Sequence, residues 1–121
     1  MSAKYCFQID QGTDLRVPFV LKNADGSAVD LTGCAVRMQL RKSFYADEAV
    51  DTLSTDNGRI TMAPAEGRFE LVFPNDVTEG YPVQTLVYDI ELVSSGGEVR
   101  RIVEGRASVT PEVTRVDQVQ A

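Results

Sequence analysis

The side chains best suited to chemistry in this chain are its clustered carboxylates. Asp47, Glu48 and Asp51 stand together between two apolar stretches, and Asp89 and Glu91 stand inside a third. Two carboxylates can divide general acid and general base work when their surroundings push their pKa values apart. Here neither group has a base or nucleophile beside it. Histidine, the commonest general base and metal ligand, is absent from the chain. Asp89 and Glu91 alternate with apolar residues, which puts both on the solvated face of a strand. As calcium ligands, neither Asp47, Glu48 and Asp51 nor Asp56 with Asn57 has the spacing of a D-x-[DN]-x-[DN]-G loop. There is no G-x-S-x-G elbow, and Gly96-Gly97 joins two strands instead of opening a helix, so it offers no anion cradle. The residues therefore predict no catalytic, metal-binding or cofactor-binding set, and no enzymatic activity.

Recognition is a different matter. Phe44 and Tyr45 are adjacent aromatics in a polar segment, and exposed aromatics concentrate at interaction hot spots. They are candidate partner contacts, and with the neighbouring acids they could also stack on a sugar. The apolar residues Val20, Val87, Val93 and Ile102 fall on the outward parity of their strands, where a partner could cover them.

The elements that must position these residues are strands. Leu86 to Arg115 reads as two long strands joined by Ser94-Ser95-Gly96-Gly97. Leu86, Tyr88, Ile90 and Leu92 share one face of the first strand; Val99, Val103, Ala107 and Val109 share one face of the second. Ahead of them, Tyr5, Phe7 and Ile9 alternate in a first strand, and Leu15, Val17, Phe19 and Leu21 in a second. Pro18 assigns that second strand to an edge or a bulge. Cys34, Val36, Met38 and Leu40 define a third strand, and residues 49–54 a short fourth. Asn57-Gly58 turns the chain into Arg59–Met62, and Phe69, Leu71 and Phe73 alternate in a further strand. Residues 74–80 predict one helical turn or a wide loop. This pattern predicts an all-β domain, an immunoglobulin-like antiparallel β-sandwich of seven or eight strands spanning residues 1–110, with a small β-barrel as the alternative. The expected core aromatics are Phe7, Phe19, Phe69, Phe73 and Tyr88. Residues 111–121 predict an extended C-terminal tail.

Composition narrows the classes further. With 18 acidic and 12 basic residues the formal charge is −6, the wrong sign for general nucleic-acid binding, which depends on neutralising phosphates. The longest apolar runs are too short to span a bilayer. The N-terminal MSAKYCFQID has no apolar segment of the secretory kind, so the expected site of synthesis is a cytoplasm. Cys6 and Cys34, flanked by apolar strand positions, predict two reduced, buried thiols.

The order of motifs adds a resemblance. Gln11-Gly12-Thr13-Asp14, Asp25-Gly26, Asp30-Leu31-Thr32-Gly33, Asn57-Gly58-Arg59-Ile60, Tyr88-Asp89, Glu104-Gly105 and the closing Val109-Thr110-Pro111-Glu112-Val113-Thr114-Arg115 succeed one another along the chain. Over about residues 8 to 116 the chain resembles small structural proteins of tailed phages and prophages, which are similar to the immunoglobulin-like N-terminal domain of phage baseplate upper proteins. The resemblance implies a non-enzymatic virion component of the tail, baseplate or fibre attachment. Such a component would act through protein–protein contacts in multiple copies per particle and be assembled in the bacterial host cytoplasm. Its partners would be other virion proteins, not nucleic acid or membrane, and no cofactor is implied. With no fibre or receptor-binding region after Ala121, the expected role is an adaptor. Capsid decoration, as a cement or head-fibre protein, is the alternative, and carbohydrate binding ranks lower. The family-like end of the hairpin adds Pro111, Glu112, Val113, Thr114 and Arg115 to Phe44 and Tyr45 as expected partner contacts.

Overall fold

In the computed structural model, which describes residues 2–114, nine strands form two facing sheets. The larger sheet contains β1 (Ala3–Lys4), β2 (Phe7–Asp10), β4 (Ala35–Arg41), β5 (Asp51–Ser54), β8 (Thr85–Val93) and β9 (Val99–Thr110). Its order is β9-β8-β4-β5, with β1 and β2 both paired to the free side of β9. The smaller sheet is β3-β7-β6, built from β3 (Leu15–Val20), β6 (Ile60–Ala63) and β7 (Arg68–Phe73). The two sheets share no ladder, so the sandwich stays open and the barrel alternative is not realised. Three strands facing an extended sheet with β2 alongside β9 is the arrangement of an immunoglobulin-like sandwich.

Two features depart from the simple alternating picture. First, β1 and β2 run parallel to β9, whereas every other ladder is antiparallel. The expected first strand, Tyr5–Ile9, begins only at Phe7, and at Tyr5-Cys6, between β1 and β2, the chain passes close over Gly105. A Cβ at Gly105 would overlap the Tyr5 carbonyl, so only glycine lets Tyr5 N–H reach the Glu104 carbonyl at 3.0 Å. Second, the β8/β9 register shifts between Ile90 and Glu91: Ile90 faces Val103 while Glu91 faces Arg101. Ile102 is the extra residue of a bulge, and a bulge reverses the parity of everything beyond it. Val99, expected on the core face with Val103, is consequently 47% exposed.

The core lies between the sheets, where Ile9, Val36, Leu40, Leu53, Phe69, Leu71, Phe73, Leu86 and Ile90 are fully or almost fully buried. Each such side chain contributes about 1.5–3 kcal/mol through burial. Of the expected core aromatics, Phe69, Phe73 and Tyr88 are buried, and Phe7 and Phe19 are half-buried against them. Phe7 and Phe19 lie on the flank where β2 and β3 part. There Tyr5 meets Phe19 edge-on at 5.5 Å and Phe19 stacks on Phe69 at 5.1 Å. The thiols differ from expectation: Cys6 is exposed and Cys34 half-buried, and both are free. Cys6 sits in the break between β1 and β2, on the opposite parity from Phe7.

Candidate functional site

Strand registers decide where the expected contact residues emerge. β4 ends at Arg41 opposite Val87, near the start of β8, and β2 ends at Asp10 opposite Thr110, the last residue of β9. The 42–50 loop, the 11–14 turn, the 74–84 corner and residues 111–114 therefore leave the sandwich at one end, the basal end. Phe44 and Tyr45 are there, 73% and 94% exposed, together with Pro111, Glu112, Val113 and Thr114; Val113 is 88% exposed. Arg115, the last of the expected contacts, lies outside the described residues, as does the stretch 116–121.

The base is held by side chains instead of a ladder. Thr78, fully buried in the one-turn helix α1 (Asn75–Thr78), accepts the Gly12 N–H at 3.0 Å and donates to the Thr13 carbonyl at 2.9 Å. Asp14 accepts the Asn75 N–H at 2.7 Å. Gln11 joins three segments: its backbone N–H reaches Thr110, its side-chain Nε2 donates to the Tyr81 carbonyl at 2.9 Å, and its Oε1 accepts the Glu112 N–H at 3.0 Å. The chain thus leaves β9 along a fixed path as far as Glu112. Gln11-Gly12-Thr13-Asp14, a motif of the resemblance, is what fixes that path.

Phe44 leans over the outer face of the larger sheet between two shallow grooves of about 200 and 260 Å³. Gln39, Arg41, Val87, Asp89 and Arg101 line the first, and Lys4, Cys6, Gly105 and Arg106 the second; Tyr88 and Glu104 border both. Val87 points outward yet is buried, flanked across the ladder by Arg41 and Arg106. Next to it lies a charged mesh in which Arg37 pairs with Glu91 at 2.8 Å and Arg101 bridges Asp89 and Glu104 at 3.3 Å. Asp89 and Glu91 are therefore engaged in surface ion pairs. A groove of about 460 Å³ between Arg37, Gln39, Arg41 and Thr52 continues this face toward β5.

The acidic cluster of the sequence is split by the fold. Asp47 and Glu48 are exposed on the basal loop, whereas Asp51 turns inward. It pairs with Arg59 at 2.9 Å, both side chains being less than one-fifth exposed, and accepts the Tyr81 hydroxyl. Arg59 also donates through Nε to the Val72 carbonyl at 2.8 Å. Burial, then the bond to Asp51, pushes the Tyr81 hydroxyl well above its ordinary pKa; for Arg59 desolvation pulls downward, but Asp51 and Tyr81 together raise it. This group ties β5 of one sheet to β6 and β7 of the other. No motif marks this group, but the sequence carries one signal of it: Asp51 shares the core parity of Leu53, where a carboxylate needs a partner. Among the described residues no three acidic or thiol side chains converge as metal ligands would.

No protein-family model and no curated protein matches this sequence. The basal end and the outer face beside it offer exposed aromatic surface, rigidly held backbone and paired charge, an arrangement suited to binding a macromolecular surface.

Proposed function

We propose that the protein is a non-enzymatic structural component of a tailed-phage virion. It would serve as an adaptor at the tail, baseplate or fibre attachment, working through protein–protein contacts in multiple copies. The phage assignment rests on the ordered motifs from Gln11 to Arg115. The contact assignment rests on one geometric observation: Phe44-Tyr45 and Pro111–Thr114, far apart in sequence, emerge at the same end of the sandwich, the first on a loop that Arg41 ties through the Ala46 carbonyl and the second on a path that Gln11 fixes as far as Glu112. Exposed aromatics on a rigid frame lose little conformational entropy on docking, which is how a small surface becomes an anchor.

Cryo-electron microscopy of particles produced with this protein tests the reading. Density for the sandwich is expected in the tail or baseplate, with its basal end against a neighbour. Density on the head shell would replace the adaptor with a decoration protein, and particles lacking the protein would overturn both.

A further inference from the structure

Among the strands with an open side, β5, β3 and, at its end, β2 are obstructed. On β5 the outward groups belong to Thr52 and Ser54, and the chain's own side chains take three of the four. Asp51 accepts the Thr52 N–H at 2.8 Å; Asn57 accepts the Ser54 N–H and donates to the Thr52 carbonyl, both at 3.0 Å. On β3, Leu15, Val17 and Phe19 face β7, so the outward positions are Arg16, Pro18 and Val20, and the middle one has no N–H. On β2 the Asp10 carbonyl is occupied by Thr13, at 3.2 Å from its N–H and 2.7 Å from its hydroxyl.

β6 has no such device. The Val72 N–H bonds the Arg59 carbonyl at 2.8 Å, and Thr61 and Ala63 continue that alternation against Glu70 and Arg68. The N–H and C=O groups of Ile60 and Met62 therefore point away from β7, and among the described residues nothing bonds to them. Ile60-Thr61-Met62-Ala63 is also uncharged, in a chain in which one residue in four is charged. Natural edges are guarded by charge, proline or cover, and an unguarded edge is a template for another strand.

We propose that β6 is a self-pairing edge: two copies of this chain join their smaller sheets, β6 antiparallel to β6, about a two-fold axis at Thr61. Neutrality selects this occupant, because an isologous contact sets each residue against a copy of the same segment, and any charge there would face its like. Ile60 and Met62 of opposite copies then exchange N–H···O=C bonds, and the two exposed Thr61 side chains form a close, non-hydrogen-bonded pair. The inference deepens the multi-copy reading above, but it is tested on the purified chain, so its failure leaves the location in the particle to be decided separately.

Sedimentation of the full chain from micromolar to millimolar concentration should show a monomer–dimer equilibrium. Met62→Pro removes an outward donor without touching the β7 ladder and should weaken the dimer by about tenfold or more. Should proline at this half-buried position unfold the chain, a second variant decides. Thr61→Cys in a Cys6→Ser background should oxidise to a disulfide-linked dimer, since non-hydrogen-bonded cross-strand pairs suit a disulfide, while Thr52→Cys on the capped edge should not. A chain monomeric throughout, a folded Met62→Pro protein that dimerises as tightly as the parent, or a Thr61→Cys variant that cross-links no more than the Thr52→Cys variant would each overturn the proposal.

Discussion

β5 and β6 follow one another in the chain, have the same length and are both outermost strands, yet they meet the same problem in opposite ways. β5 closes three of its four outward hydrogen-bonding groups with the side chains of Asp51 and Asn57; β6 leaves those of Ile60 and Met62 open. Between them Arg59 crosses from one sheet to the other and is anchored on Asp51. An edge, then, need not be protected only by what lies in the strand. The turn that follows can supply part of the protection, as Asn57 does here, and that part ends where the turn's reach ends.

The largest test of this contrast removes the anchor both strands share. Asp51→Ala leaves the Arg59 guanidinium and the Tyr81 hydroxyl without their acceptor in a mostly buried setting, and should cost roughly 2–4 kcal/mol of unfolding free energy in denaturant titrations. If it costs no more than an ordinary surface substitution, the clamp does not couple the sheets. Next, Asn57→Ala uncovers the β5 edge. The loss of its bonds to Ser54, Thr52 and Arg59 should cost about 1–2 kcal/mol, partly replaced by water. The same variant should raise the tendency to aggregate on light scattering, making β5 behave like β6.

A pH titration probes the same clamp from the Tyr81 side. Its pKa is higher in the folded than in the unfolded chain, so its stabilising contribution is complete below the ordinary value of 10.0 and is lost as pH rises beyond it. Tyr88, raised chiefly by burial, acts in the same direction. Melting temperatures should fall above about pH 10, and Tyr81→Phe should flatten that fall while lowering stability at neutral pH. An equally steep alkaline fall in Tyr81→Phe would place the titration elsewhere. The smallest effect on stability belongs to the basal aromatics. Phe44→Ala with Tyr45→Ala should change unfolding free energy by no more than about 0.5 kcal/mol. In a phage particle assay the pair should nonetheless lose incorporation, and full incorporation would remove these residues from the contact surface.

Much of this arrangement is local and could be read along the chain. Alternation at Leu15–Leu21, Cys34–Leu40 and Phe69–Phe73 marks strands because a sheet buries one face at a period of two. Asp25-Gly26, Asn57-Gly58 and Ser94–Gly97 mark their turns, and the helical turn predicted for residues 74–80 is there as α1. The exposure of Phe44 and Tyr45 also follows from their polar loop. What could not be read is whatever depends on a distant partner. The inward turn of Asp51, which separates it from Asp47 and Glu48, requires Arg59 from the turn before β6 and Tyr81 from the 74–84 corner. The exposure of Val99 requires the bulge at Ile102, which leaves the residue types unchanged while reversing their faces.

By itself, then, the sequence determined an all-β chain of short alternating strands, with acidic surface and a pair of aromatics in a polar loop. Those properties depend on side-chain type and on neighbours within a few residues. Tertiary structure alone decided that β1 and β2 run parallel to β9, that the basal end gathers residues from position 11 to position 114, and that β6 is left open while β5 is mostly closed. Each of these is a matter of which backbone groups remain unpaired after the sheets form, and hydrogen-bond pairing between distant segments leaves no periodic trace in the segments themselves.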